Sequence, residues 1–419
     1  MYLDFNPKRV YNVKVINFGE GVSVENTSKS NYKLTYLFML TYLVSYITRF
    51  NYGTVIAELV VLTHFSKALL YMALTGSFVT YGVGQLISGK CGDRFQPKVL
   101  VFAGLLVTTA MNLLIPLCRT PYQMAAVWCV NGFAQAFMWP PIVRLMAALL
   151  TDEEYKRASV VVSWGSSVGT IVIYLAAPAI ISLSSWKGVF LFSAASSVIM
   201  AFVWQKLCCN IDMPTAVYKT KDGEKGKIFT PLFISIMLAI ILQGSLRDGV
   251  TTWLPSYISE TYNLSSVISI LTSVVLPIFS IICCQAAAVL YRKVFKNPLM
   301  CSAVIFAFGA VSATLLFAFS GKGAALSLIL AALLTGCMHG VNLILICMIP
   351  AYYKARGNVS TISGILNSCT YIGSAISTYA IAIVSENIGW HMTVGMWALI
   401  ALAGAAVCAV CVRPWKRQF

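Results

Sequence analysis

Twelve long apolar runs constrain this chain more than any other feature of its sequence. A helix of about 20 apolar residues is long enough to cross the roughly 30 Å hydrocarbon core of a membrane. Of the 419 residues, 58% are hydrophobic and 11% are charged, whereas soluble domains carry about 25% charged residues. The sequence therefore predicts an all-α membrane protein with twelve transmembrane helices. The predicted spans are 33–57, 67–90, 98–118, 122–149, 157–181, 187–208, 229–257, 263–290, 298–319, 323–349, 358–385 and 389–412.

The basic residues predict the orientation of these spans. If the amino terminus is cytoplasmic, 24 of the 30 Lys and Arg residues lie on the cytoplasmic side. Two more, Arg49 and Arg247, lie within spans. The outer loops carry the remaining four, which are Lys67, Arg119, Lys187 and Lys322. This asymmetry follows the positive-inside rule and accounts for the net charge of +16 without a nucleic-acid partner. We expect an uncleaved, multi-pass protein of the bacterial inner membrane with both termini cytoplasmic.

The spans divide into two similar halves. Arg49 and Arg247 each lie in the first helix of a six-helix group, and Arg94 and Arg292 each follow 45 residues later. Transporters are often built from such repeats, with the substrate site between them. We predict two pseudo-symmetric six-helix bundles of the major facilitator type that work by alternating access. The predicted segments are a tail at 1–32, a bundle at 33–209, a linker at 210–227, a bundle at 228–412 and a tail at 413–419.

The remaining composition argues against an enzyme. The 13 cysteines are scattered through apolar runs, and with three histidines they form no metal-ligand spacing. No phosphate-cradling Gly-Lys-Ser/Thr loop or nucleophile set stands out. We expect no cofactor and no metal. The expected partners are the lipid bilayer and a small anionic substrate, and the protein is expected to be a monomer.

The two intramembrane arginines are the strongest candidates for a binding site. An ionised arginine at the bilayer centre costs at least about 2.5 kcal/mol, so each needs a compensating partner. A shared anion would suit both, because guanidinium groups bind phosphate or carboxylate oxygens in bidentate fashion. Tyr42 and Tyr46 share a helical face with Arg49. The alternative is structural pairing, for which Asp248 is a poor candidate because on a helix it points about 100° away from Arg247.

One loop resembles a signature of the major facilitator superfamily. Gly89, Asp93, Arg94 and Lys98 match the glycine, the Asp-Arg pair and the basic residue of its loop between the second and third helices. We expect Asp93 to pair with basic residues and a helix amino terminus across the interface and so to hold one gate state. The alternative is a solvated turn whose charge only orients the protein.

A narrower resemblance is to the organophosphate:phosphate antiporter family, which includes glycerol-3-phosphate and hexose-phosphate carriers. The matching residues of the fourth helix are Gly132, Phe133, Ala134, Gln135, Trp139, Pro140, Pro141, Arg144 and Met146. Those of the first helix are Tyr42, Tyr46, Arg49, Phe50 and Asn51, and those of the seventh are Arg247, Gly249, Trp253, Pro255 and Tyr257. The resemblance implies that Arg49 and Arg247 clamp the substrate phosphate. We expect Arg144, near the cytoplasmic end of its helix, to extend to the membrane surface.

The sequence departs from that family at two positions. Gln85 stands where phosphate-ester carriers have a lysine, and Ser166 where the glycerol-phosphate type has a histidine. Both changes remove positive or titratable groups, which favours a less highly charged anion. His339 and Asn367 lie mid-span in the tenth and eleventh helices, where they could bind the uncharged part of a substrate or join helices to each other.

The leading hypothesis is a secondary carrier of a small organic anion, either a phosphorylated sugar or a phosphorylated polyol, with inorganic phosphate as the exchanged ion. Exchange is favoured because an empty site with two fixed positive charges is costly to reorient. Glu58 is the one carboxylate considered for proton coupling. Two alternatives stay open: a symporter of a carboxylate or another organic anion, and a sugar-phosphate sensor built on a carrier scaffold.

Overall fold

The computed structural model describes residues 24–63, 65, 67–208, 229–264 and 275–418. In this part of the chain the structure is helical. The helices are α1 (Val24–Thr63), α2 (Lys67–Arg94), α3 (Pro97–Leu114), α4 (Pro121–Gln135), α5 (Trp139–Leu149), α6 (Asp152–Leu183), α7 (Trp186–Cys208), α8 (Pro231–Tyr262), α9 (Val275–Lys293), α10 (Pro298–Ala318), α11 (Ala324–Asn342), α12 (Val359–Asn387) and α13 (Trp390–Gln418). The predicted linker at 210–227 and residues 1–23 of the predicted tail lie outside the described residues.

These helices correspond to the twelve predicted spans, with α4 and α5 together forming the fourth. Eight helices of the described residues are long and apolar enough to cross a membrane. Several large apolar side chains on them are exposed, such as Phe202, Leu399 and Val410 at 70%, 68% and 75%. An apolar surface of this extent requires a lipid environment. The prediction of an all-α membrane protein is confirmed.

Local sequence explains where several helices begin. Thr120 and Thr151 each accept a hydrogen bond from the backbone three residues later, and the Gln or Glu at that position caps the threonine in return. Such capping boxes satisfy amide groups that have no partner in the first turn. Proline opens α3, α4, α8 and α10, a position where its missing N–H costs nothing.

Two predicted spans are not continuous α-helices. The fourth is interrupted by a turn at residues 136–138, because the Trp139-Pro140-Pro141 segment cannot continue the hydrogen bonding of α4 and starts α5 instead. The tenth passes from α11 into a π-helix at Leu343–Met348 and a 3-10 helix at Ile349–Arg356. The turns of a π-helix are wider than those of an α-helix, and π-helical turns are frequent at functional sites.

The helices pack as two bundles of six spans. In the first, α1 packs on α6, α2 on α4 and α3 on α7; in the second, α8 packs on α12, α9 on α11 and α10 on α13. The bundles meet where α2 packs on α12 and α6 on α9, which are equivalent positions in the two halves. Glycine allows the backbones of α2 and α12 to approach each other closely, since a Cβ at Gly364 of α12 would overlap the carbonyl oxygen of Gln85 in α2.

Candidate substrate site

A cavity lies at the junction of the two bundles. It is lined from the first bundle by Tyr42, Tyr46, Trp139, Ser163, Trp164, Ser166 and Ser167, and from the second by Arg247, Ile281, Cys284, His339, Asn342, Ile346, Cys347, Asn367 and Tyr371. Helices of both halves therefore form one largely polar space inside an apolar protein.

Arg49 lies behind aromatic side chains at the edge of this cavity. Its guanidinium carbon is 3.9 Å from the ring centre of Tyr81 and 5.0 Å from that of Tyr46, and its Nη1 donates a 3.2 Å hydrogen bond to the Tyr371 hydroxyl. The side chain is buried. Its Nε and Nη2 have no hydrogen-bond partner among the described residues. The charge is thus held by π-systems and one hydroxyl, and no ion pair of the described residues reaches it.

Arg247 is held quite differently. Its Nε and Nη2 donate to the two carboxylate oxygens of Asp248 at 2.6 and 2.9 Å, and its Nη1 donates to Oδ1 of Asn342 at 2.9 Å. Ser374 of α12 also donates to Asp248, at 2.5 Å. The expectation that Asp248 is a poor partner is wrong: the long arginine side chain bends back and reaches its neighbour, although the two Cα–Cβ bonds diverge.

Tyr46 and Tyr371 connect the two arginines. Both line the cavity beside Arg247, and both contact Arg49, Tyr371 through its hydroxyl and Tyr46 through its ring. Tyr42 completes the face of α1, with its ring 5.1 Å from that of Tyr46 and 4.9 Å from that of Trp139. The phenol and guanidinium groups of the two bundles therefore surround one region.

The other predicted site residues divide into two groups. Ser166, His339 and Asn367 line the cavity. Gln85 is not among the lining residues. It is buried where α2 packs against the turn after α4, and its Nε2 donates to the Ala136 carbonyl at 3.3 Å. It is therefore a contact between helices in this structure.

Sequence reasoning did not assign Tyr81 or Asp248 to the site, although both contact its arginines. Tyr81 provides the aromatic ring nearest to Arg49, and it lies one helical turn before Gln85, which was the signal that could have found it. Asp248 occupies the carboxylate-binding edge of Arg247. Its position next to an intramembrane arginine was itself a signal, since charged groups inside membranes pair with one another.

Arg94, Arg292 and Lys416 lie at the same end of their helices, and we call this side of the protein the basic face. A second cluster of residues joins the two bundles on this side. The carboxylate of Asp93 accepts the backbone N–H groups of Ser360 and Thr361, at 3.0 and 2.7 Å, at the start of α12. This is a charge-stabilised amino terminus of a helix. We call Asp93, Ser360, Thr361 and Arg144 the latch.

Arg144 belongs to this latch and does not extend to the membrane surface as expected. It is buried, its Nε lies 3.9 Å from Oδ1 of Asp93, and its Nη1 donates to the carbonyl of Gly92. The expectation failed because the Arg144 side chain turns toward the carboxyl end of α2, where the Asp93 carboxylate and the carbonyls of Gly92 and Phe95 surround it. Of the other loop residues, Gly89 packs against α12 and accepts from Thr361, Arg94 is exposed, and the Lys98 carbonyl accepts from Trp204.

Further contacts join the bundles at the level of the cavity and on its basic side. At the level of the cavity, Ser167 hydrogen-bonds Ser280 at 2.7 Å, and Ser368 of α12 donates to the carbonyl of Gly82 at 2.9 Å. Nearer the basic face, Tyr155 of α6 donates to the carbonyl of Cys347. The Tyr155 contact and the latch hold the two bundles together on the basic side of the site. The structure is therefore a state in which that side is closed.

The fold and this site, between two six-span bundles, are those of a membrane transporter. Residues 38–378 match the Major Facilitator Superfamily, and the chain belongs to that family. Membership defines it as an integral membrane carrier and not as an enzyme.

The chain is also similar to particular members. It is 23% identical over 401 residues to a probable hexose phosphate transport protein of Chlamydia muridarum, covering 86% of each chain. It is 23% identical to the membrane sensor protein UhpC of Salmonella typhimurium, over 90% of this chain and 89% of that one. The glycerol-3-phosphate transporter of Bacillus subtilis is 26% identical over 48% of this chain and 51% of its own. These relatives confirm the resemblance to organophosphate carriers.

Solved structures share the fold at low sequence identity. A bacterial homologue of the iron transporter ferroportin, in an outward-facing state, superposes with a TM-score of 0.72 and 14% identity, covering 92% of this chain and 99% of that one. The proton:xylose symporter XylE, bound to 6-bromo-6-deoxy-D-glucose, gives 0.71 and 11%, covering 91% and 95%. These likenesses concern the arrangement of the helices.

Proposed function

We propose that this protein is a secondary carrier that moves a small organic anion across the membrane by alternating access. One observation carries the proposal: Arg49 is a buried cation with two unpartnered nitrogen atoms and no carboxylate within reach among the described residues. Leaving such a group without a hydrogen-bond acceptor is costly. An anion that enters the adjoining cavity would supply the missing acceptors.

The substrate class follows from the donors and from the relatives. Guanidinium, phenol, amide and hydroxyl groups suit an anionic group attached to a hydroxylated carbon skeleton. Relatives named for hexose phosphate and glycerol-3-phosphate support a phosphorylated sugar or polyol. In this proposal Arg49 binds the anionic group directly, and Arg247 borders it from the second bundle while its Nε and Nη2 stay bonded to Asp248. Tyr42, Tyr46, Ser166, His339 and Asn367 contact the remainder, and inorganic phosphate is the exchanged ion.

A thermal-shift panel on the purified protein tests the binding step. A ligand at 100 times its Kd stabilises the folded state by about 2.7 kcal/mol. Glycerol-3-phosphate, glucose 6-phosphate, inorganic phosphate, glucose and glycerol are compared at equal concentration. We expect the anions to raise Tm and the uncharged parent compounds to leave it unchanged. A panel in which no anion raises Tm would contradict the proposal.

A second candidate function is sensing, which is favoured by the similarity to a membrane sensor protein over 90% of the chain. Flux distinguishes the two functions. Proteoliposomes loaded with phosphate should take up the labelled anion identified by the panel, and the uptake should depend on internal anion if exchange operates. Binding without flux would favour the sensor.

We further propose that the basic face is cytoplasmic, in the inner membrane of a bacterium, and that the protein acts as a monomer. The charge asymmetry of the sequence supports the orientation. The proposed boundaries remain two bundles at 33–209 and 228–412, joined by a cytoplasmic linker at 210–227.

A further inference from the structure

The two arginines of the site differ in what neutralises them. The Asp248 carboxylate occupies Nε and Nη2 of Arg247, which is the edge that a guanidinium offers to a bidentate anion. Asn342 and Ser374 fix this pair from two other helices. Arg49 has no such carboxylate among the described residues. Its charge is stabilised by the Tyr371 hydroxyl and by aromatic rings such as that of Tyr81. The repeat is therefore symmetric in its cations and asymmetric in its counter-ions.

This asymmetry determines the charge of the empty site. The charged side chains at the cavity, in the part of the chain that the structure describes, are Arg49, Arg247 and Asp248, so the site carries one net positive charge. The titratable groups that face the Arg247–Asp248 pair from other helices are His339, Tyr46, Tyr371, Cys284 and Cys347. None of these five side chains is a carboxylate, a lysine or an arginine, so the fixed charges of the site remain those of Arg49, Arg247 and Asp248.

We propose that Asp248 sets the charge of the substrate, so that the site prefers an anion with a single negative charge over a dianion of the same shape. The inference rests on the proposed function, and it narrows the substrate class. A monoanion at Arg49 leaves the Arg247–Asp248 pair intact and makes the site neutral. A dianion would either bring an excess negative charge into a poorly solvated space or displace Asp248 from Arg247. Both outcomes are unfavourable.

Sulfate and phosphate esters of the same sugar test this preference directly. Glucose 6-sulfate and glucose 6-phosphate share a tetrahedral anionic group, but at pH 7.5 the sulfate is a monoanion and the phosphate ester, whose second pKa is about 6, is mainly a dianion. Their dissociation constants are measured by calorimetry on the wild type, on Asp248→Asn and on Glu58→Gln. The last variant removes one carboxylate charge from α1 and serves as the matched control.

We expect the wild type to bind the sulfate ester more tightly than the phosphate ester. Asp248→Asn should change the ratio of the two dissociation constants at least tenfold in favour of the phosphate ester, which is about 1.4 kcal/mol. Glu58→Gln should keep the wild-type ratio. Tighter binding of the phosphate ester by the wild type would overturn the inference without the need for a folded variant.

The remaining outcomes separate this inference from the proposed function. If both esters bind and Asp248→Asn keeps the wild-type ratio, the inference fails and the carrier of organic anions stands. If neither these esters nor any anion of the thermal-shift panel binds, the proposed function fails and the inference fails with it.

Discussion

The hydroxyl of Tyr371 lies 3.2 Å from Nη1 of Arg49, and this hydrogen bond joins the first bundle to the second at the level of the cavity. Tyr371 also packs against Tyr81, with ring centres 4.7 Å apart. Tyr371 thus contacts both Arg49, the cation that lacks acceptors, and Tyr81, the ring that covers Arg49. In the proposed alternating-access cycle we expect movement of the bundles to break this contact, which would couple substrate binding to the change of access at Tyr371.

Replacing Arg49 or Arg247 with lysine should weaken binding of the anionic substrate more than tenfold, or about 1.4 kcal/mol. At position 49 lysine keeps the charge but loses the planar donors available to the anion. At position 247 it loses the bidentate bond to Asp248, which leaves that carboxylate less well neutralised beside the anion. We expect both variants to fold, because lysine can still interact with the surrounding rings or with Asp248. Affinity, expression and monodispersity are measured on the same preparations.

Arg119→Lys, in an exposed loop on the opposite face, is the matched control. If both arginines were only structural, the site variants would aggregate while any folded fraction bound normally. A well-folded Arg49→Lys variant with wild-type affinity would contradict the proposal that Arg49 binds the anionic group.

Tyr371→Phe should weaken binding of the anion about tenfold or more and also slow transport. The change removes the hydroxyl that holds Nη1 of Arg49, and a hydrogen bond to a charged group contributes about 1.5–3 kcal/mol. The ring contact with Tyr81 is retained, so we expect the variant to fold. Binding and uptake are compared with those of Tyr122→Phe, whose side chain is 65% exposed. Equal effects in the two variants would exclude a specific role for the Tyr371 hydroxyl.

Asp93→Asn should slow transport and leave affinity within a few-fold of wild type. The amide keeps the shape of the side chain but loses the charge that the amino terminus of α12 and Arg144 stabilise. The latch lies away from the cavity, so substrate contacts are unaffected. Asp152→Asn, an exposed change in the first turn of α6, is the control. A large loss of affinity with normal flux would argue against the latch.

A cysteine at position 220, in the predicted linker, should be labelled only after the membrane is permeabilised. Four lysines in residues 210–227 place the linker on the cytoplasmic side by the positive-inside rule. Thr220→Cys is compared in intact cells with Lys322→Cys, which lies in an exposed loop predicted to be outside. The parent protein gives the background from native cysteines. Labelling of position 220 from outside would reverse the orientation.

The sequence by itself determined the class of fold. Span length, low charge and the placement of basic residues depend on the membrane as a solvent, and a membrane acts on each helix separately. The repeated intramembrane arginines also indicated where the site lies, because a buried charge is conspicuous in an apolar run. The motif that contains Asp93 indicated a contact at the bundle interface through its resemblance to a family signature.

The tertiary structure decided how those charges are partnered. Side-chain direction on a helix predicted that Asp248 turns away from Arg247, yet the flexible arginine reaches it. Arg144 is buried because it reaches the carboxyl end of α2, where the Gly92 carbonyl accepts a hydrogen bond from it. Gln85 is turned toward the Ala136 carbonyl by the packing of α2 on the fourth span. Partners of this kind are set by the crossing of helices distant in sequence, together with side-chain bending that no periodicity encodes. The net charge of the site follows from these contacts, and it is the basis of the substrate charge that we propose.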